Sequence, residues 1–152
     1  MDRFRLLIEE LSDEMVLDFE INEQNCVAFI ADPNLFVQIE LDESGENLFI
    51  ISEVADMPAG AYREILLKEC LKHNALLPPL YGTFSYIEGP NKLILQASHP
   101  IKEMRGESLM QFLNEFVPKA LSWKEAIDHG HPLPTGVEKV IEDKPPEGGI
   151  KL

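Results

Sequence analysis

Apolar residues recur at helical spacing from the start of the chain. Phe4, Leu7, Ile8, Leu11 and Met15 share one side, with Glu9, Glu10, Asp13 and Glu14 on the other, which predicts an amphipathic helix over residues 1–12. Leu6 falls off that stripe and points to a second apolar contact. The period then changes to two. Strand-like stretches follow at about 25–31, 35–41 and 47–54, separated by Asp32-Pro33-Asn34 and by Asp42 to Glu46, both rich in turn formers. Links this short join antiparallel neighbours. In 35–41, Leu35, Val37, Ile39 and Leu41 alternate with Phe36, Gln38 and Glu40, and in 47–54, Leu48, Ile50 and Val54 oppose Phe49 and Ile51. The alternating segment 16–21 reads as an edge strand or an extended linker.

A second helix is predicted over 59–75, after Pro58. Ala61, Tyr62, Ile65, Leu66, Leu67, Cys70, Leu71 and Ala75 span an arc too wide for one core-facing stripe, so this helix is expected to bury two sides. Pro78-Pro79 ends it. A hairpin follows, Thr83 to Glu88 and Lys92 to Ser98 around Gly89-Pro90-Asn91, with Phe84 and Tyr86 on one face. The third helix begins near Gly106 and carries Leu109, Phe112, Leu113, Phe116, Val117, Ala120, Leu121 and Ile127. Pro118 is expected to kink or split it, with Ser122-x-x-Glu125 as a capping box for a short continuation. Residues 129–152, with four Pro and four Gly, read as a flexible tail behind a domain of residues 1–128.

Composition narrows what such a domain does. The chain has 152 residues and 45% of them are hydrophobic, enough for one domain with a real core. Against 13 Lys and Arg stand 27 Asp and Glu, a net charge of −14. That charge repels phosphate backbones, which argues against nucleic acid and anionic membranes. Only one negative charge of the surplus falls in residues 129–152, so the acidity belongs to the domain surface. No signal-peptide-like or membrane-spanning run is present, which predicts a cytoplasmic protein without membrane insertion. Cys26 and Cys70 sit in apolar contexts and read as buried thiols.

Catalytic chemistry finds little support. No HExxH, GxSxG, Walker or GxGxxG pattern occurs, and His73, His99, His129 and His131 lie apart from one another or in the tail. His129-Gly130-His131 lacks further ligands to close a metal site. Glu9-Glu10 and Asp13-Glu14 read as a solvated helix face, and Asp42 to Glu46 as a hairpin turn without EF-hand spacing. Neither an enzyme nor a cofactor is expected. What remains is apolar residues on both sides of several strands, notably Phe36, Phe49, Ile51 and Ile94. A sheet apolar on both faces expects either helices on both or a second partner.

The order of elements and three local patterns resemble the class I type III secretion chaperones of the CesT, or Tir-chaperone, family. The patterns are Asn25-Cys26-x-x-Phe29-x-x-Asp32 leading into strand 35–41, Cys70-Leu71-Lys72-His73-Asn74, and Gly82-x-Phe84-x-Tyr86 followed by Leu93-Ile94-Leu95. The second is similar to the family's Leu-Leu-x-x-Asn helix end, with Cys in place of the first Leu. The likeness covers about residues 3–128.

It implies an α+β fold of order α-β-β-β-α-β-β-α, a twisted antiparallel sheet packed with three helices, as a dimer. It also implies a cytoplasmic protein that binds the extended N-terminal segment of a secreted effector and presents it to the export apparatus, whose ATPase is a further expected partner. Effector contacts are expected at Phe4, Leu7, Leu11, Phe36, Phe49 and Ile51. Pairing with a second copy, or with a sister chaperone, is expected through Tyr62, Leu66, Leu67, Phe84 and Tyr86. The same fold occurs in YbjN-like proteins, so a regulatory or assembly subunit binding a folded protein is the alternative.

Overall fold

A computed structural model describes residues 2–134. Helix α1 spans Arg3–Met15, where the Asp2 side chain accepts a hydrogen bond from the Arg5 amide at 2.7 Å and so caps its first turn. The predicted stripe of Phe4, Leu7, Ile8 and Leu11 is buried, and Leu6, off the stripe, stays partly exposed. Residues 16–25 form an irregular linker and no edge strand. Its apolar residues are used all the same, since Phe19 and Ile21 pack onto the core and the Phe19 ring lies 5.3 Å from Phe29.

Strands β1 (Cys26–Ala31), β2 (Leu35–Leu41) and β3 (Asn47–Asp56) follow, then helix α2 (Gly60–Asn74), strands β4 (Thr83–Ile87) and β5 (Lys92–Pro100), and helix α3 (Gly106–His129). The strands make one antiparallel sheet in the order β1-β2-β3-β5-β4. The Asp42 carboxylate organises the β2–β3 turn. It accepts from Ser44 Oγ and from the Glu46 and Asn47 amides, and these bonds, with the Asn47 side chain foremost, hold its pKa down at about 2.

One sheet face carries Val27, Leu35, Val37, Ile39, Leu48, Ile50, Val54, Leu93 and Leu95, all buried beneath the helices. Trp123 and Phe116 of α3 are the largest helix residues in this core beside Phe4. Ser52 is the buried polar side chain of that face, and its hydroxyl donates to the Phe36 carbonyl at 2.7 Å. Helix α1 packs on α3 at Gly106. A Cβ added there would stand 2.5 Å from Glu10 Cβ and 2.6 Å from the Glu10 backbone carbon, so only glycine permits the approach. Glu10 answers by accepting the Gly106 amide at 3.0 Å and pairing with Arg105 at 3.1 Å, which satisfies the α3 N-terminus.

Two helix expectations are corrected. Pro118 does not split α3, which runs unbroken from Gly106 to His129. Pro118 and Asn114, the residue whose carbonyl loses its donor, both face solvent, where water replaces the missing bond, while Leu113, Phe116 and Ala120 anchor the helix on both sides of the proline. Helix α2 buries one side, not two: Leu66 and Cys70 enter the core, while Ile65 and Leu71 remain 53% and 71% exposed. Among the described residues α2 packs chiefly on β4, and Leu67 joins the core edge, while Ile65 and Leu71 are left largely uncovered. Burial pushes the Cys70 thiol up to about 12 and raises that of Cys26, in keeping with small interior residues. Residues 130–134 turn back at Gly130 toward α2, and Tyr62 Oη donates to the His131 carbonyl at 3.3 Å. The rest of the expected tail, from 135 onward, lies outside the described residues.

Candidate functional site

The sheet face opposite the helices is built by strand register. Phe36 stands across from Ile30, Ile51 across from Gln38 and Gln96, Phe49 across from Glu40 and Ser98, and Ile94 across from Glu53 and Ser85. No helix among the described residues lies over this face. Ile94 is nevertheless buried at its centre, Phe49 and Ile51 are half-buried, and Phe36 and Ile30 are 38% and 63% exposed. An apolar strip thus crosses β1, β2 and β3, with Glu40 and Glu53 as its charged members.

The two sheet edges differ. In an antiparallel strand, residues alternate between facing the neighbouring strand and facing away. The Leu41 amide donates to Asn25, so on β1 the outward residues are Cys26, Ala28 and Ile30. Cys26 is already occupied: its amide donates to Asn22 Oδ1 at 3.0 Å and its carbonyl accepts the Asn22 amide at 3.0 Å. Ala28 and Ile30 keep their outward N–H and C=O groups without a partner among the described residues.

On β4 the outward residue Phe84 is closed in the same manner by a side chain. Asn74, at the end of α2, donates through Nδ2 to the Phe84 carbonyl and accepts its amide at Oδ1, both at 2.9 Å. Lys119 Nζ donates to the Gly82 carbonyl at 3.0 Å. On β4, Phe84 is thus capped while Tyr86, the next outward residue, keeps its main-chain groups without a partner among the described residues, whereas β1 is open at both Ala28 and Ile30.

The remaining expected contact residues divide. Phe4, Leu7 and Leu11 are not surface residues, because the single apolar stripe of α1 is spent on the core. Phe36, Phe49 and Ile51 do share one accessible face. Of the residues expected at a dimer contact, Leu66 and Phe84 are core, and Tyr62 is turned toward residues 126 and 131 of its own chain. Leu67 and Tyr86 stay accessible, and Arg63 sits 5.2 Å over the Tyr86 ring. Leu67 and Leu71 lie one and two turns beyond Arg63, on the same side of α2. The free edge of β1 is the feature that sequence reading missed; its signal is Asn22, whose cap cannot be told from an ordinary turn residue without the register.

A shallow groove of 560 Å³ runs between α1 and the linker, lined by Arg5, Ile8, Glu9, Asp13, Asp18, Phe19 and Glu20 among others. Its apolar floor and acidic rim again present carboxylates to the outside. Among the described residues no group of three or more His, Cys, Asp and Glu side chains gathers at metal-binding distance, and no helix is long and apolar enough to cross a membrane.

Solved structures share this architecture. A chain of the HopA1–SchA chaperone–effector complex matches with a TM-score of 0.68 at 14% identity, over 82% of this chain and 94% of that one. A chain of the Yersinia pestis complex of the type III secretion chaperone SycH with a stable fragment of YscM2 gives 0.60 at 21% identity, over 79% and 98%. The ExsC–ExsE complex gives 0.60 at 19%, over 80% and 90%. No curated protein matches significantly. The family model for the Tir chaperone proteins, CesT, matches residues 6–124, so with the fold and the three local patterns in agreement, the chain belongs to the CesT family.

Proposed function

We propose that this protein is a type III secretion chaperone that holds the extended N-terminal segment of a secreted effector in a soluble, export-competent form. The observation that carries the reading is the open edge of β1 at Ala28 and Ile30 beside the apolar strip of Ile30, Phe36, Phe49 and Ile51. An extended chain added there gains main-chain hydrogen bonds and sets alternate side chains against that strip. Folded partners cannot supply an unpaired strand so readily, which favours the effector reading over a YbjN-like adaptor. The acidic surround, −13 over residues 1–128, keeps the apolar strip soluble and suits a basic effector segment.

Co-expression with the product of the adjacent gene, followed by pull-down, tests this directly. Phe49→Glu or Ile51→Glu is expected to remove effector co-purification, because each places a charge in the apolar strip at a cost of about 1–3 kcal/mol or more on binding. Undiminished co-purification would place the effector elsewhere on the molecule.

The same reading takes the chain to pair with a second copy across the uncovered side of α2 and the end of β4, where Leu67, Leu71, Tyr86 and Ile87 remain accessible. Light scattering at micromolar concentration is expected to give twice the 17.2 kDa chain mass, and Leu71→Glu to give the single-chain mass with unchanged helical circular dichroism. A wild-type protein that stays monomeric removes the pairing.

A further inference from the structure

Two basic side chains from different helices converge on the corner where the end of α2 meets β4. His73 of α2 sets its ring edge-on to Phe84 of β4, at 5.0 Å, and to Trp123 of α3, at 6.0 Å. Lys119 of α3 donates to the Leu80 and Gly82 carbonyls of the loop before β4, and its Nζ lies 5.9 Å from the centre of the same Phe84 ring. Among the described residues no carboxylate pairs with either group. Glu69, one turn before His73, pairs with Lys72 at 3.0 Å, and Glu115, one turn before Lys119, makes no ion pair with it. The remaining polar neighbour is Asn74, whose Oδ1 is 3.3 Å from His73 Nδ1 while it also accepts the Phe84 amide.

We propose that His73 and Lys119 form an acid-sensitive latch on the β4 edge: protonating the imidazole puts a second cation beside Lys119 in a corner where no described carboxylate pairs with either, and the end of α2 then lets go of Phe84. Burial, and after it the Lys119 charge, hold the His73 pKa below its ordinary 6.5, with the Asn74 contact pulling the other way. Burial likewise brings Lys119 down to about 8, so it is still largely charged at the pH where the imidazole titrates. The sign follows. A base whose pKa is lower folded than unfolded binds more protons when unfolded, so the stability of this corner is full above 6.5 and declines as pH falls through 6.5 toward the folded value. The Phe84 amide reports the latch because its hydrogen bond to Asn74 is the contact that opens. The inference stands whether or not an effector binds.

Amide hydrogen exchange on the full chain, corrected for intrinsic rates, tests it between about pH 7.5 and about pH 5. Protection of Phe84 is expected to fall roughly tenfold or more relative to Ile50 in the central strand. His73→Gln is expected to hold that ratio constant. His99→Gln is expected to keep the fall, although His99 is also held below its ordinary pKa by burial and packs its ring 4.6 Å from Phe112. A constant ratio in the wild type, or a fall that persists in His73→Gln, overturns the latch. Should His73→Gln not fold, Lys119→Met replaces it: a smaller fall supports the latch and an undiminished one overturns it.

Discussion

Ala28→Pro is expected to lose effector capture by roughly 30- to 1,000-fold while the chain stays folded. The proline removes the outward amide of Ala28, which takes no part in the pairing of β1 with β2, and edge strands tolerate proline at such positions. Two effects add on the effector side. One main-chain hydrogen bond is lost, and the effector carbonyl that would have received it is buried unpaired, together about 2–4 kcal/mol. Ala28→Ser keeps the amide and is expected to bind like the wild type. Titration calorimetry with an effector N-terminal peptide, alongside circular dichroism of both variants, separates the outcomes. Wild-type affinity in Ala28→Pro would mean that the strand edge is not used.

Gly106→Ala is expected to give the largest loss of stability from a single methyl group. Its Cβ would meet the Glu10 backbone at 2.6 Å and the Leu11 nitrogen at 2.8 Å, and backbone cannot rotate out of the way as a side chain can. Forcing α1 and α3 apart strains the core beneath them by about 1–3 kcal/mol, and disturbs the Glu10 bond to the Gly106 amide as well. For a domain of this size the midpoint of thermal unfolding should fall by roughly 2–8 °C for each kcal/mol. A melting curve unchanged within a degree would show that the helices can separate at no cost.

Periodicity reached far in this chain. Strands over 26–31, 35–41, 47–56, 83–87 and 92–100 lie where the alternation places them, because each has one face committed to the core and a shift by one residue would reverse it. The stripe of α1 likewise names its buried residues correctly. What the same stripe could not say is whether it meets the core or a partner, and Phe4, Leu7 and Leu11 meet the core. Helix α2 marks a second limit: a wide apolar arc reads alike whether its outer part is covered or bare, and here Ile65 and Leu71 are bare. Pro118 marks a third, since the cost of a proline inside a helix depends on whether the orphaned carbonyl faces water. Capping is less legible still. Asn74 belongs to a recognisable helix-end pattern, but its purpose, closing Phe84 ten residues later, exists only once α2 and β4 are side by side.

In the docking proposed at β1, the cap that Asn22 sets on Cys26 bears on how many different segments the edge could hold. It fixes where a docked strand must stop, leaving the amides and carbonyls of Ala28 and Ile30 as a ladder of four possible bonds. At about 0.5–1.5 kcal/mol each these give about 2–6 kcal/mol, well short of the roughly 12 kcal/mol of a nanomolar complex. Backbone contacts of that number set the alignment of a client but read nothing of its sequence. Affinity then depends on how each client fills the apolar strip, so a single chaperone of this design can rank several cargoes against one another.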